Sequence, residues 1–164
     1  MRRKRAARFV YNGLGFPIEL RNVVLVRPRD KWAPEIDLGT LEAGAFRALA
    51  TKPARLTGNE VHFIRQFMGM TLKEFAKHLR ITHPTVMNWE SAYRKPTGMG
   101  WPAEEALRMK VLKAAGLGAR RFFDAHSELQ RLTLEPDGGL LMVYDPEDRA
   151  LAEVGFEPVT AARR

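Results

Sequence analysis

The 164-residue chain contains no cysteine, and this absence removes several classes of protein at once. Without a thiol there is no disulfide framework, no thiolate zinc site and no cysteine nucleophile. The chain also lacks an apolar run of about eighteen residues, so no membrane span is expected. Its amino terminus, MRRKRAAR, has neither the apolar stretch nor the cleavage site of a secretory signal. We therefore expect a cytoplasmic protein without a membrane partner.

The sequence also lacks the patterns that are typical of metal-binding and catalytic sites. The spacing of His78 and His83 does not place them on one helix face, and no HExxH motif occurs. The sequence shows no paired-carboxylate spacing and no glycine-rich nucleotide loop. Gly13 and Gly15 are better explained by a hairpin turn. The sequence therefore predicts no metal, no cofactor and no enzymatic activity.

The net charge of +8 is distributed unevenly along the chain. Five of the first eight residues are basic and none is acidic, whereas residues 120–162 hold nine acidic and four basic side chains. Residues 54–95 hold seven basic and three acidic ones. A basic amino-terminal segment and a basic central segment favour a surface that faces phosphate, while the acidic carboxyl-terminal segment is suited to a different partner. The basic run 2–5 is either an arm that contacts DNA or a disordered solubilising tail.

The middle of the chain carries three signals for helix N-termini. Thr57 and Thr71 are each followed three positions later by glutamate, which is the capping-box pattern. Thr82 comes before Pro84, and proline is tolerated in a first helical turn because the N–H groups there have no intrahelical acceptor. Gly69 suits the left-handed position at which a helix ends. Three short helices are therefore predicted in succession.

Apolar spacing within these helices indicates a small three-helix core. The second helix has an apolar stripe at i, i+3, i+4 and i+7, formed by Leu72, Phe75, Ala76 and Leu79. Val86 and Trp89 point inward from the third helix and leave its opposite face free. A helix, a short turn and a second helix with one open face form the unit that fits a DNA major groove. Residues 54–95 are therefore predicted to be a helix-turn-helix.

Residues 70–96, MTLKEFAKHLRITHPTVMNWESAYRKP, resemble the helix-turn-helix of the Cro/phage-repressor (Xre-type) family. The matching positions are Thr71, Phe75, Ala76, Leu79, Ile81, Thr82, Thr85, Val86, Trp89 and Glu90. Two positions depart from the family pattern: Arg80 replaces the usual glycine, and Leu72 replaces a polar residue. The resemblance implies a homodimer that binds a palindrome in double-stranded DNA, with half-sites about one helical turn apart.

The helix starting near His83 is the candidate for reading bases. Asn88 can form a bidentate pair with adenine, and Pro84 or Met87 can pack against a thymine methyl. The predicted base contacts are His83, Pro84, Thr85, Met87 and Asn88. The alternative is that these side chains are merely solvated, in a protein-interaction scaffold that keeps the fold without specific DNA binding.

A rim of donors around this helix is the expected footprint on the DNA backbone. The predicted phosphate contacts are Arg65, Lys73, Lys77, Tyr93, Arg94 and Lys95. Each of these alone is as consistent with a solvated surface charge as with a contact. RNA stays open as a target, since positive charge does not select the polymer, but the segment offers few aromatic side chains for stacking on bases.

The flanking segments predict an α+β protein. Residues 9–26 are typical of a β-hairpin or small meander, and residues 37–50 of a helix that ends in a linker at Lys52 and Pro53. A helix is expected from Pro102 and another over 119–131. A second β-hairpin is expected over 131–146, followed by a tail that is partly disordered.

This pattern divides the chain into three segments. Residues 1–53 form a small β-rich segment with a helix that is a candidate partner-binding domain. Residues 54–117 form an all-α helix-turn-helix domain, and residues 118–164 form an acidic helix with a β-hairpin.

The front half also resembles antitoxins of the MqsA/YgiT type in the order of its features. The positions that carry this likeness are Tyr11, Gly13, Asn22, Val23, Pro34, Leu41 and Glu42. The zinc cysteines of that family are absent here. The resemblance implies an autorepressing antitoxin, in which residues 1–50 or the acidic carboxyl-terminal part holds a toxin protein.

Overall fold

The structure, a computed structural model, describes residues 2–131, 140–147 and 154–158, which form two compact units. One unit contains the described residues up to Ala45 together with those from Leu140 onward, and the other contains residues 46–131. The α+β class is confirmed. The division differs from the three consecutive segments predicted, because strands late in the chain pair with the first hairpin.

The first unit begins with the predicted β-hairpin. Strands β1 (Arg2–Tyr11) and β2 (Ile18–Arg27) pair antiparallel over their whole length. The turn between them includes Gly15, whose φ of 99° few side chains tolerate and whose N–H donates to Asn12 O at 3.0 Å. Because β1 starts at Arg2, the basic run 2–5 is strand. The expectation of a disordered tail is therefore wrong for these residues.

The described strands form one sheet in the order β1-β2-β4-β5, with the short β3 (Ala33–Pro34) also on β2. Strand β4 (Leu140–Tyr144) lies parallel to β2, and β5 (Gly155–Pro158) lies antiparallel to β4. Of the predicted second hairpin, residues 132–139 lie outside the described part, while the other arm is β4. Within the tail that was expected to be partly disordered, residues 155–158 form the strand β5, and most of the rest lies outside the described residues.

Apolar side chains of β2 form much of the core of this unit. Ile18 and Leu20 are buried, and so are Val23 and Leu25, so the buried positions change from even to odd within one strand. Asn22 lies at this change with a φ of 54°. Other buried apolar side chains in the unit are Phe16, Leu41, Ala45, Met142, Tyr144 and Val154.

Helix α1 (Leu38–Leu49) matches the helix predicted over residues 37–50. The Thr40 N–H donates to the Asp37 carboxylate at 3.3 Å, and the Leu41 N–H donates to Asp37 O at 3.1 Å. Asp37 thus caps the helix. A Cβ added at Gly44 would lie 2.9 Å from Val154 Cγ2, so only glycine fits there without movement of that side chain.

The second unit is helical. After the end of α1 come α2 (Gly58–Phe67), α3 (Leu72–Leu79), α4 (His83–Glu90), α5 (Trp101–Ala114) and α6 (Ala119–Arg131). Helix α5 starts one residue before the predicted Pro102, and α6 has the predicted bounds. The buried side chains of this unit include Leu56, Val61, Ile64, Phe75, Val86, Trp89, Leu107, Val111, Leu112 and Leu129.

Two buried ion pairs fix the segment that leads into α2. Arg108 and Glu104 are both fully buried, 2.9 Å apart, and Arg108 also donates to Lys52 O and Ala54 O at 2.5 Å. Lys52 Nζ lies 2.7 Å from a Glu60 carboxylate oxygen, and both side chains are buried. The prediction that Lys52 belongs to a linker is therefore wrong, because this residue is bonded inside the unit.

Candidate nucleic-acid interface

The first two predicted caps start helices where expected. Thr57 Oγ1 accepts from Glu60 N at 3.3 Å while Thr57 N donates to the Glu60 carboxylate at 2.8 Å, so this capping box is complete. Thr71 Oγ1 accepts from Glu74 N at 3.1 Å. These bonds supply acceptors for N–H groups that the helices themselves leave free.

The third cap works differently from the prediction. Thr82 occupies the N-cap position of α4, but its side chain caps no backbone N–H. The Thr82 and Thr85 hydroxyls instead lie 3.0 Å apart. Pro84 lies in the first turn as predicted. The start of α4 thus depends on backbone geometry and on this hydroxyl pair.

The turns on either side of α3 have left-handed residues. Gly69 has a φ of 68°, as the sequence predicts for the end of α2. Arg80 ends α3 with a φ of 59° and donates its N–H to Ala76 O and Lys77 O. The chain therefore keeps the turn that usually takes glycine, with a residue for which this conformation is less favourable.

Helix α4 presents one face to the core and leaves the rest open. Val86 and Trp89 are buried against the neighbouring helices. His83, Pro84, Met87 and Asn88 are exposed, and Met87 retains 51% of its accessible surface. Thr85 is half-buried. The structure therefore brings the five predicted base-contacting residues together on one short helix, with four of them exposed.

Five of the six predicted phosphate contacts are exposed, two of them on α3 and three in the turn that follows α4. Lys73 and Lys77 lie on α3, while Tyr93, Arg94 and Lys95 form the turn after α4. This turn is held at the start of α2, because Asn59 N donates to Tyr93 O at 2.8 Å and Gly58 N donates to Lys95 O at 3.2 Å. Tyr93 has a φ of 52° and is 66% exposed.

Arg65 has a different role from the predicted one. Its Nε lies 2.6 Å from Glu90 Oε1, its Nη1 donates to Met70 O at 3.0 Å, and its side chain is only 13% exposed. A guanidinium that is engaged in this way joins α2, the following turn and α4. We therefore correct the phosphate assignment of Arg65 to a structural one.

Sequence reasoning missed two residues of this region. A Cβ at Gly58 would lie 2.5 Å from Trp89 O and 2.6 Å from Tyr93 N, so the start of α2 touches the backbone at the end of α4. Nothing in the sequence signals this approach. Arg80 is an exposed cation in the turn before α4, and its position in the repressor-like pattern was the available signal.

Three further findings concern metal binding, membrane-spanning helices and similarity to known proteins. In the part of the chain that the structure describes, no group of three histidine, aspartate or glutamate residues is placed to hold a metal ion. Among the described helices, none is long and apolar enough to cross a membrane. Comparison with protein-family models, with curated proteins and with solved structures finds no match to this chain.

Proposed function

We propose that the protein is a sequence-specific transcriptional regulator that binds a palindromic operator in double-stranded DNA as a homodimer. The observation that carries this proposal is the open face of α4, which is flanked by exposed cations on α3 and in the turn after α4. A helix presented in this way after a short turn fits the major groove.

The exposed side chains suit different parts of the duplex. The Asn88 amide can donate to and accept from adenine in a bidentate pair, while Met87 and Pro84 offer apolar contact to thymine methyl groups. Lys73 and Lys77 are suited to phosphates on one side of the groove. Arg94 and Lys95 are suited to phosphates on the other. Base contacts of this kind give sequence preference, and phosphate contacts give register and salt dependence.

The proposal has a second part, which concerns a protein partner. The β-rich residues that carry the likeness to antitoxins belong to a different compact unit from the helices that carry the proposed DNA-reading face. Together with the likeness to antitoxins, this supports an autorepressing antitoxin that binds a toxin. Co-expression with the product of a neighbouring gene tests this part. Failure to relieve that product's toxicity would remove the antitoxin role and leave the DNA-binding role standing.

Operator selection followed by affinity measurement tests the DNA-binding role. Duplexes enriched from a random pool by the purified protein are labelled, and fluorescence anisotropy compares them with scrambled duplexes over a salt series. We expect the selected sequence to bind tighter by about 10³ or more and to be a palindrome. Equal affinity for both duplexes, with a steep dependence on salt, would reduce the interaction to charge attraction and contradict the proposal.

A second candidate function is a protein-interaction scaffold. The exposed apolar surface of Met87 and Tyr93 favours it, since such surface also suits a protein contact. Under this alternative the purified protein binds neither duplex, and a reporter of its cellular function is unaffected by Asn88→Ala and Lys77→Ala. Loss of repression in the same reporter would exclude the scaffold reading.

A further inference from the structure

Five of the described residues in the helical unit have a left-handed backbone, and two of them lie at the two ends of α4. Glycine occupies the other three of these positions, which are Gly69, Gly98 and Gly116. At the ends of α4 the residues are instead Arg80, with a φ of 59°, and Tyr93, with a φ of 52°. A side chain makes this conformation less favourable, so glycine would be the less costly residue at both positions. The helical unit therefore places its two strained side chains beside the proposed recognition helix.

Backbone hydrogen bonds fix Arg80 in this conformation. Its N–H donates to Lys77 O at 3.1 Å, and the N–H of Ile81 donates to Ala76 O at 2.9 Å. Bonds of this kind close the left-handed end of a helix, and they need no particular side chain. Strained backbone of this kind is concentrated at functional sites. The turn thus explains the backbone of Arg80 but leaves its side chain to be explained.

The guanidinium group of Arg80 is available to a ligand. The residue is exposed, and within the described part of the chain no carboxylate forms an ion pair with it. It lies in the turn that joins α3 to α4, just before His83 begins the recognition helix. Residues 81–93 contain no lysine or arginine. Because a recognition helix contacts bases through its N-terminal residues, Arg80 is the cation that stands at the reading end of α4.

We propose that Arg80 contacts DNA, its guanidinium group binding a pair of acceptors at the edge of the groove that α4 enters. This inference rests on the proposed DNA binding and adds a residue to the predicted contacts. A guanidinium fork matches two acceptor pairs in DNA, the oxygens of one phosphate and the O6 and N7 atoms of guanine. The bonded turn holds the backbone of Arg80 in place before DNA binds, which lowers the cost of ordering the contact.

A role in folding is the alternative, because a cation at the C-terminal end of a helix interacts favourably with the helix dipole. Lys77 and His78 already lie in the last turn of α3, so other basic groups are placed there. The two roles predict opposite results for Arg80→Gly. A folding role predicts that the variant loses stability and keeps its affinity for DNA. Contact with DNA predicts that it gains stability and loses affinity.

Thermal unfolding and fluorescence anisotropy on the same protein preparations test the proposal. The probes are the duplex that the parent protein selects from a random pool and its scrambled counterpart. We expect Arg80→Gly to unfold at a higher temperature and to bind the selected duplex at least about tenfold more weakly. Arg80→Asn should lose as much affinity, since asparagine tolerates the left-handed backbone without the freedom of glycine. Arg80→Lys keeps the charge without the fork and should recover only part of the affinity. Unchanged affinity in Arg80→Gly and Arg80→Asn would overturn the proposal.

Arg120→Gln is the matched control, because it changes an exposed arginine on α6, outside the helix-turn-helix. Its affinity should change by less than about twofold, since salt largely screens an exposed charge that makes no contact. An equal loss in the control and in Arg80→Asn would reduce the effect to net charge and overturn the proposal. The parent protein reports on the proposed function separately. Equal binding of both duplexes by the parent would contradict DNA reading itself, whereas a parent that discriminates beside unaffected Arg80 variants would contradict only the role of Arg80.

A second selection, carried out with Arg80→Asn, distinguishes the two acceptor pairs. The same selected sequence, with a salt slope reduced by about one, identifies a phosphate contact. Loss of a guanine preference at one position of each half-site identifies a base contact. Either result supports the assignment of Arg80. An unchanged sequence with an unchanged slope contradicts it.

Discussion

Arg65 and Glu90 connect the end of α2 to the end of α4 through a contact of 2.6 Å between Arg65 Nε and Glu90 Oε1. Both side chains are largely buried, at 13% and 14% exposure. Arg65 also donates to Met70 O at 3.0 Å, so one guanidinium bonds the turn before α3 as well. This ion pair therefore joins the proposed recognition helix to α2 and to the turn before α3.

Glu90→Gln should lower the free energy of unfolding by about 2 kcal/mol, because the buried Arg65 guanidinium loses its counterion. Urea denaturation measures this change. Glu128→Gln on α6 alters an exposed glutamate and is the control, with an expected change under about 0.5 kcal/mol. A Glu90→Gln protein as stable as the control would show that the pair contributes little.

Gly58→Ala should destabilise the protein, although the same change in an ordinary helix gains up to about 1 kcal/mol. The added Cβ would meet the Trp89 carbonyl oxygen and the Tyr93 amide nitrogen, both of them backbone atoms that cannot rotate away. We expect a loss of about 2 kcal/mol in urea denaturation. Gly118→Ala is the control, since nothing lies within 4 Å of its Cβ. A gain in both variants would contradict the close approach.

Arg80→Gly should raise the stability by up to about 1 kcal/mol, because glycine adopts a φ of 59° without the strain that a side chain causes. Thermal unfolding followed by circular dichroism measures the gain. Lys77→Gly, in the interior of α3, should instead lose about 1 kcal/mol. If both glycine variants lose stability equally, the turn does not hold Arg80 under strain.

The unit that contains the β-sheet should lose stability in acid. The Arg21 guanidinium, 2.5 Å from a Glu157 carboxylate oxygen, holds the pKa of Glu157 below its ordinary value of 4.5. Because the folded-state pKa is the lower one, this stabilisation is present above pH 4.5 and is lost as the pH falls through the folded-state value. Glu157→Gln should therefore be less stable at pH 7 and show a smaller further loss in acid.

Thermal unfolding over a pH series checks this expectation. Asp30→Asn provides the control, since it removes an acidic side chain of the same unit without disturbing Arg21 or Glu157. It should keep the acid sensitivity of the parent protein. An acid profile of Glu157→Gln that is identical to that of the parent would show that the pair has no part in the pH dependence.

Local signals explain why the helical motif was predictable from the sequence. Thr57 and Thr71 cap helices through groups three positions away, and Gly69 marks the left-handed end of a helix by its own backbone freedom. Such signals involve residues within about one helical turn of each other, so they can be read directly from the sequence. The open face of α4 follows from the spacing of Val86 and Trp89 alone.

The remaining features depend on partners far apart in the sequence. Strand β4 pairs with β2 across more than a hundred residues, and no local pattern announces a parallel pairing of that kind. Arg65 and Lys52 appear as ordinary surface charges until their partners Glu90 and Glu60 are brought near. Charge counts treat every cation alike, so the predicted set of phosphate contacts included Arg65, whose side chain the fold uses internally.

Separate measurement of base and phosphate contacts tests the central claim most directly. Fluorescence anisotropy on the selected and scrambled duplexes is repeated over a salt series for Asn88→Ala and Lys77→Ala. We predict that Asn88→Ala lowers affinity for the selected duplex by about 1–3 kcal/mol and leaves the salt slope unchanged, whereas Lys77→Ala weakens binding to both duplexes and reduces the slope by about one. Affinities and slopes that match the parent protein in both variants would contradict the assignment of α4 as the DNA-reading helix.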